Sequence, residues 1–251
     1  MTRVIRLLEA LCASAAPLSL AELARALDTP KSSLAALLRG LADEHFVIAS
    51  EGAWRLGPGA FGLGSALVEA RRRWPVPDLV REALRRLTAQ SGETALFAVR
   101  DGEGETITYV DVVESASSVR FAVSPGDRRP LYATAAGRAL LAAGDDASLR
   151  RYLEKLRPEA LTNDTETARP RLAQAVADAR AAGVAQTVDQ AADGVTGTAA
   201  VIRDASGAVL GALVAAAPSS RSHGRRVQLA EMVLAEAEGL SRSLGYRPAR
   251  G

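Results

Sequence analysis

Residues 17–43, PLSLAELARALDTPKSSLAALLRGLAD, constrain the fold more than any other stretch of the 251-residue chain. Ser19 opens a helix and Glu22 follows three residues later, the spacing of a capping box in which each side chain satisfies an orphan backbone N–H. Leu20, Leu23 and Leu27 repeat at helical spacing and give that helix one apolar face. After a short break, Thr29 is placed to cap a second helix whose first residue is Pro30, where a missing N–H costs nothing. Leu34, Leu37, Leu38 and Leu41 form its apolar stripe and leave Lys31, Ser32, Ser33 and Arg39 on the other side. Two short helices with a tight turn, the second presenting small polar residues at its N-terminus, match a helix-turn-helix that sets its second helix in a major groove. A plain helical hairpin is the competing reading of these residues alone.

The next segment narrows the choice. Phe46–Ser50 and the following EGAWRL, Glu51–Leu56, read as a hairpin with Gly52 at the turn. Helix, helix, second helix and hairpin in this order make a winged helix, and Arg55 at the wing base can reach a phosphate.

Composition supplies bounds but little direction. Apolar residues are 48% of the chain and aromatics 4%, which fits an Ala-rich globular protein. The formal net charge is +2, and residues 1–75 carry nine Lys/Arg against seven Asp/Glu, again +2. Any DNA affinity therefore comes from the placement of charge and from the avidity of paired heads rather than from bulk charge. The single cysteine, Cys12, lies in the apolar helical run Val4–Ala16 and is expected to be a small buried hydrophobe. One cysteine and two scattered histidines, His45 and His223, rule out a conventional zinc cluster, and no cofactor is expected. No signal peptide or membrane-spanning run is evident, so a cytoplasmic protein is expected.

Beyond the hairpin, Gly57, Gly59, Gly62 and Gly64 loosen a segment expected to become helical over Ser65–Arg73. Trp74, Pro75 and Pro77 break that helix, and a further helix spans Pro77–Gln90. Arg71, Arg72 and Arg73 form the most concentrated basic run, read as a solvated face, with a phosphate contact as the alternative. From Glu93 the pattern turns mixed. Strands are expected over Thr94–Arg100 and Glu105–Val113 around Asp101-Gly102, and over Val119–Val123. Helices follow at Ala133–Ala143, Ala147–Leu156 and Arg169–Ala182, the last closed by Gly183. Strands at Val184–Asp189, Thr198–Arg203 and Val209–Ala217 precede a final helix over Arg226–Leu244. The boundaries expected are residues 1–58 for the winged head, 59–91 for a helical connector and 92–251 for an α/β domain.

Residues 17–59 resemble the N-terminal domain of the IclR family of bacterial transcription regulators through SLAELARAL, PKSSLAALLRGL and WRLGPGAFGLG, whose order and spacing together are specific. SGETALFAVRDG, YVDVVES, LYATAAGRALLAA and GVTGTAAVIRDASGAVLGALVAAAPSSR resemble the family's effector domain, so the resemblance covers nearly all of the chain. It implies an α+β protein: an N-terminal winged helix-turn-helix, a helical connector and a mixed α/β, GAF-like sensor domain for a small-molecule effector. It also implies a homodimer or dimer of dimers (a tetramer) on double-stranded operator DNA, more often as a repressor, beside catabolic genes.

The candidate DNA-contacting residues are Ser19, Thr29, Lys31, Ser32, Ser33, Ala35, Arg39 and Arg55. Where family members commonly carry large polar or basic residues in mid-helix, this chain has Ala35 and Ala36, which touch a thymine methyl at most. Phosphate contacts and DNA shape must then supply much of the affinity. For the effector, Thr134 precedes Ala135, Ala136 and Gly137 at a helix start, where free N–H groups and the helix dipole favour an anion and small side chains let a ligand approach. Close packing of that helix on a sheet would call for the same small residues. The resemblance implies that ligands, often small organic acids, dock at Ala135 and Ala136. By matching strings it adds Phe121, Arg129, Thr187, Val195, Gly197, Val214 and Ala216. Better-known small-acid binders place an acidic residue, a cysteine and serines where this chain has Thr187, Gly197, Val214 and Ala216. The pocket implied is one for a larger, apolar or aromatic acid or derivative, with Arg129 able to pair with a carboxylate.

An enzyme fused to a helical head is the rival class. No phosphate loop, nucleophile elbow or metal cluster supports it, and Asp204 in DASG is explained by turn chemistry. A regulator whose second domain only oligomerises remains the other alternative.

Overall fold

The computed structural model describes residues 2–72, 75–102 and 104–247. The chain divides into two compact units, Met1–Pro75 and Val76–Gly251. The arginine run at 71–73 and Trp74 lie outside the described residues, in their side chains or altogether.

The first unit is built on α1 (Thr2–Ala13), β1 (Leu18–Ser19), α2 (Leu20–Ala26), α3 (Lys31–Asp43), β2 (Val47–Ser50), β3 (Ala53–Leu56) and α4 (Pro58–Arg72). Leu7, Leu11, Leu23, Leu34, Leu38 and Val47 form its core, with one or two leucines from each of α1, α2 and α3. The capping box is present: Ser19 Oγ accepts from Glu22 N, while Glu22 Oε2 accepts from Ser19 N at 2.8 Å. Ser19 also pairs with Ala53 in the three-stranded sheet β1-β3-β2, so the start of α2 is tied to the wing. Thr29 does not cap α3. Its hydroxyl donates to Leu27 O at 2.9 Å, and Pro30 is the capping residue, without a side-chain bond. The turn is closed instead by Thr29 N on Ala24 O and by Asp28 at φ 46°.

Two further expectations in this unit change. Helix α4 begins at Pro58 rather than Ser65 and carries Gly59, Gly62 and Gly64 within it. Proline at a helix start supplies the right φ, and the backbone of Gly57 and Gly59 is already held, with both N–H groups donating back to the Phe46 and His45 carbonyls. A Cβ on Gly57 would lie 2.3 Å from His45 O, so this contact between turn and helix needs glycine. Cys12 is exposed rather than buried. Leu11 beside it takes the core-facing position, and Cys12 is turned onto an open apolar groove of about 630 Å³ shared with Leu8, Phe46, Leu56 and Phe61.

The second unit comprises α5 (Pro75–Ser91), β4 (Thr94–Arg100), β5 (Thr106–Val113), β6 (Arg128–Pro130), α6 (Ala135–Ala142), α7 (Asp146–Lys155), α8 (Arg169–Ala182), β7 (Ala185–Val188), β8 (Val195–Arg203), β9 (Val209–Pro218), α9 (Ser219–Ser222) and α10 (Arg226–Ser243). All six strands are antiparallel, in the order β6-β5-β4-β9-β8-β7. Strand β4 is buried on both faces. Leu96 and Ala98 join the core that contains α6 and α8, whereas Ala95 and Phe97 join the core of α5 and α10. The sheet is thus covered by helices on both sides.

The expected strand Val119–Val123 is not formed. The outer edge of β5 is taken by β6, a short pairing that the sequence reading missed, so 119–123 has no ladder to join. Side chains hold it instead. Thr94 Oγ1 donates to Phe121 O at 2.9 Å, and Arg221 donates to Val119 O at 3.2 Å. The same guanidinium grips Glu93, a carboxylate 1% exposed, at 2.7 and 2.5 Å, which raises the arginine pKa.

Two outcomes follow. Gly57→Ala should destabilise the first unit by roughly 1–3 kcal/mol, because backbone rather than a side chain must yield; urea unfolding of that unit measures it. The hydrogen bonds from Ser19 hold the Glu22 carboxyl below its ordinary range. Its contribution is complete at neutral pH and lost as pH falls through the lowered value, so Glu22→Gln should flatten the acid limb of thermal stability.

Candidate DNA-binding face and effector cavity

On α3, Lys31, Ser32, Ala36 and Arg39 are exposed and Ser33 and Ala35 half-buried, while Leu34 and Leu38 face the core. The exposed set recurs at three- and four-residue steps, which puts it on one side of the helix. Arg39 Nε donates to Ala35 O at 3.3 Å and leaves the rest of the guanidinium free to reach outward. Arg55 stands exposed on β3, opposite Ile48. Ser19 is committed to the capping box and Thr29 to the turn, so those two residues shape the head through backbone-directed bonds. The wing turn has Glu51 at φ 52° and Gly52 at φ 79°, two successive left-handed residues that close a tight hairpin.

In the second unit, the first turn of α6 is fixed from several directions. Thr134 Oγ1 accepts from Gly137 N and donates to Pro130 O, both at 3.0 Å. A Cβ on Gly137 would lie 2.1 Å from Leu131 O, so only glycine lets the helix settle there. Arg138 is 4% exposed; it donates to Tyr132 O at 2.8 Å and to Gln190 Oε1, and burial lowers its pKa. The amides of Ala135 and Ala136 stand ahead of the first intrahelical bond and make no hydrogen bond among the described residues.

The structure brings Phe121, Arg129, Thr134, Ala135, Ala136, Thr187, Val195, Gly197, Val214 and Ala216 around one cavity. Strand register accounts for much of this: Thr187 pairs with Gly197, Gly197 with Ala216, and Val214 with Leu96. A Cβ on Gly197 would sit 3.2 Å from Ala135 Cβ and 3.3 Å from Thr187 Oγ1, so the sheet meets the helix start closely here. The wall at 189–194 is pinned by Thr162 on Asp189 O at 2.5 Å, Thr165 on Gln190 O at 2.7 Å and Ser219 on Asp189 Oδ1 at 2.6 Å. The free space is narrow, about 30 Å³, enough for roughly two water molecules.

Sequence reasoning missed Leu96, Tyr109, Ala191 and Ala192, which complete the lining. The alternation in TITYV could have flagged Tyr109, since Ile107 and Tyr109 share a face. Ala191 and Ala192 lie in an irregular segment with no periodic signal. Asp204 accepts from Ser206 N, Ser206 Oγ and Ala208 N, in keeping with its turn. No metal-ligating cluster and no helix long and apolar enough to cross a membrane occurs among the described residues. Thr134→Ala should cost about 1 kcal/mol in chemical unfolding of the second unit and Thr134→Ser much less, since the serine hydroxyl can still cap.

Comparison with known proteins matches two regions of the chain. The IclR helix-turn-helix domain matches residues 1–48, and the bacterial transcriptional regulator IclR C-terminal domain matches 69–242. The transcriptional repressor AllR of Klebsiella pneumoniae is 31% identical, over 99% of this chain and 90% of its own length. The transcriptional regulator BhcR of Paracoccus denitrificans is 30% identical, over 100% and 89%. A solved IclR-type regulator from Silicibacter sp. TM1040 superposes with a TM-score of 0.81 at 26% identity, covering 98% of this chain and 96% of that one. With a DNA-binding head and an effector domain both matched, this chain belongs to the IclR family of bacterial transcriptional regulators.

Proposed function

We propose that this regulator is an effector-controlled repressor of a catabolic operon. It binds a partly palindromic operator through paired winged helices and takes an apolar or aromatic organic acid in its second unit. The observation that carries the effector assignment is the convergence of ten positions from separate elements on a cavity whose floor is the unpaired start of α6. An acid carboxylate accepts from the Ala135 and Ala136 amides, where the helix dipole adds to the attraction. Leu96, Phe121, Val195 and Val214 provide the apolar wall. A space of about 30 Å³ does not hold a ring, so binding must part these walls, and that displacement is the conformational work available for changing operator affinity.

The repressor sense is supported by the AllR relatives, which are repressors. On DNA, Lys31, Ser32, Ser33, Ala35 and Arg39 enter the groove, with Arg55 on a phosphate and Ser19 and Thr29 near the backbone. Exposed Ile5, Phe61, Leu63 and Leu67, together with the apolar groove of the first unit, favour a second copy of this chain as partner, as a dimer or a dimer of dimers. The narrowness of the cavity is the observation that favours the other reading, a regulator whose second unit only assembles.

Binding of the full chain to its upstream intergenic DNA, followed by fluorescence anisotropy against salt, tests the DNA half. Lys31→Ala and Arg39→Ala should each weaken binding and lower the salt slope by about one. Unchanged slopes in both variants would remove α3 from the interface. Ala136→Leu and Val214→Trp should abolish the response to acids while operator binding persists. A retained response in both moves the effector elsewhere, and an operator complex indifferent to every acid supports assembly alone.

A further inference from the structure

The first unit also holds a polar cavity, separate from its apolar groove. Its volume is about 240 Å³, and it is lined by Arg3, Arg6, Leu27, Asp28, Thr29 and Leu34. Arg3 and Arg6 stand three residues apart on α1, neighbours on one side of that helix, and both are exposed. Asp28 and Thr29 come from the turn between α2 and α3, while buried Leu34 and half-buried Leu27 close the apolar side. The two guanidinium groups form no hydrogen bond and no ion pair among the described residues, although the Asp28 carboxylate lines the same cavity. In the second unit, by contrast, Arg81, Arg86, Arg128, Arg180 and Arg221 are each paired with a carboxylate.

The place of this cavity matters as much as its charge. Asp28 and Thr29 precede α3 and Leu34 lies in its first turn, so the cavity sits at the end of α3 where Lys31 is exposed. A helix in a major groove has a phosphate-bearing strand on either side, and most protein–DNA hydrogen bonds go to that backbone. Room for roughly eight water molecules is enough for a phosphate group between the two arginines. Asp28 works against such a ligand. Its backbone is left-handed, φ 46°, with its N–H on Arg25 O and the next N–H on Ala24 O, so the turn fixes where the carboxylate emerges. That carboxylate accepts no hydrogen bond among the described residues, which leaves two cations opposed by one anion at the cavity.

We propose that Arg3 and Arg6 form a subsite for a DNA backbone phosphate beside the start of α3, and that Asp28 holds down its strength. This rests on the reading of α3 as the DNA-contacting helix. A guanidinium fork suits a phosphate, and two unpaired forks at one cavity can take it without first breaking an ion pair. The subsite carries no base readout, so it adds affinity for any duplex. Asp28 subtracts from the same term. A carboxylate facing the incoming phosphate weakens that contact on every sequence, and the balance of affinity then shifts toward the base contacts of α3.

Fluorescence anisotropy of the full chain tests this, on its upstream intergenic DNA and on a random-sequence duplex of equal length, each titrated against salt. Arg3→Gln and Arg6→Gln should each weaken both duplexes by one common factor, roughly 8-fold at 0.1 M salt, and lower the salt slope by about one. Asp28→Asn should act in the opposite sense, tightening both duplexes and steepening the slope; asparagine tolerates the left-handed backbone. All three side chains are exposed, so thermal midpoints should stay within about 3 °C of the unaltered chain. Unchanged affinity and slope in both arginine variants, while the unaltered chain binds DNA, overturns the subsite and leaves α3 in the groove. Weakening by Asp28→Asn too, or a midpoint fall of several degrees in the arginine variants, assigns the cavity to holding the turn and overturns the proposal. No binding of either duplex by the unaltered chain overturns the subsite and the DNA reading together.

Discussion

The closeness of the first turn of α6 to the Leu131 backbone is the constraint on which the second unit depends. Gly137 permits the approach, Thr134 caps the turn while holding Pro130, and buried Arg138 binds Tyr132 O and Gln190. These contacts leave two amide groups at the head of the helix with no acceptor among the described residues, and they set that head against Gly197 and Thr187. A looser helix would let water or its own capping groups satisfy those amides. Close packing and two unbonded amides are here one feature, since the small residues that allow the first also leave room in front of the second.

The surrounding polar network keeps the cavity walls in place without entering it. The Glu93–Arg221 pair sits at the base of β4 and steadies the irregular segment that carries Phe121. Thr162, Thr165 and Ser219 fasten the 189–194 wall from outside. These two irregular segments are attached largely by side-chain bonds, whereas the strand walls are held by ladders, so the irregular segments are the parts that can shift at modest cost. The first unit is organised differently. Its leucine core, capping box and wing hairpin pin α3 through regular structure, as suits an element that must present a rigid face to DNA.

Much of the candidate site was legible because its residues are local in sequence. The capping box at Ser19 and Glu22, the leucine stripe of α3 and the Thr134–Gly137 start are patterns within one turn of helix, and each has its cause in neighbouring residues. The seven more distant cavity positions came from matching strings to a known family, not from periodicity. Thr29 misled because its hydroxyl had a nearer acceptor in Leu27 O, and the glycines before Ser65 misled because Pro58 and the held Gly57–Gly59 backbone start the helix despite them.

By itself, then, the sequence determined the winged head, the alternation of strands and helices and the small-residue helix start, since these follow from side-chain spacing and backbone chemistry over a few residues. Tertiary structure alone decided what lies across space. The six-strand order puts Tyr109 and Arg129 at one edge and Thr187 at the other, β6 rather than 119–123 takes the β5 edge, and Cys12 faces an apolar groove instead of the core. Such choices depend on which edge or face is already occupied. That competition between distant segments leaves no mark in any single one of them.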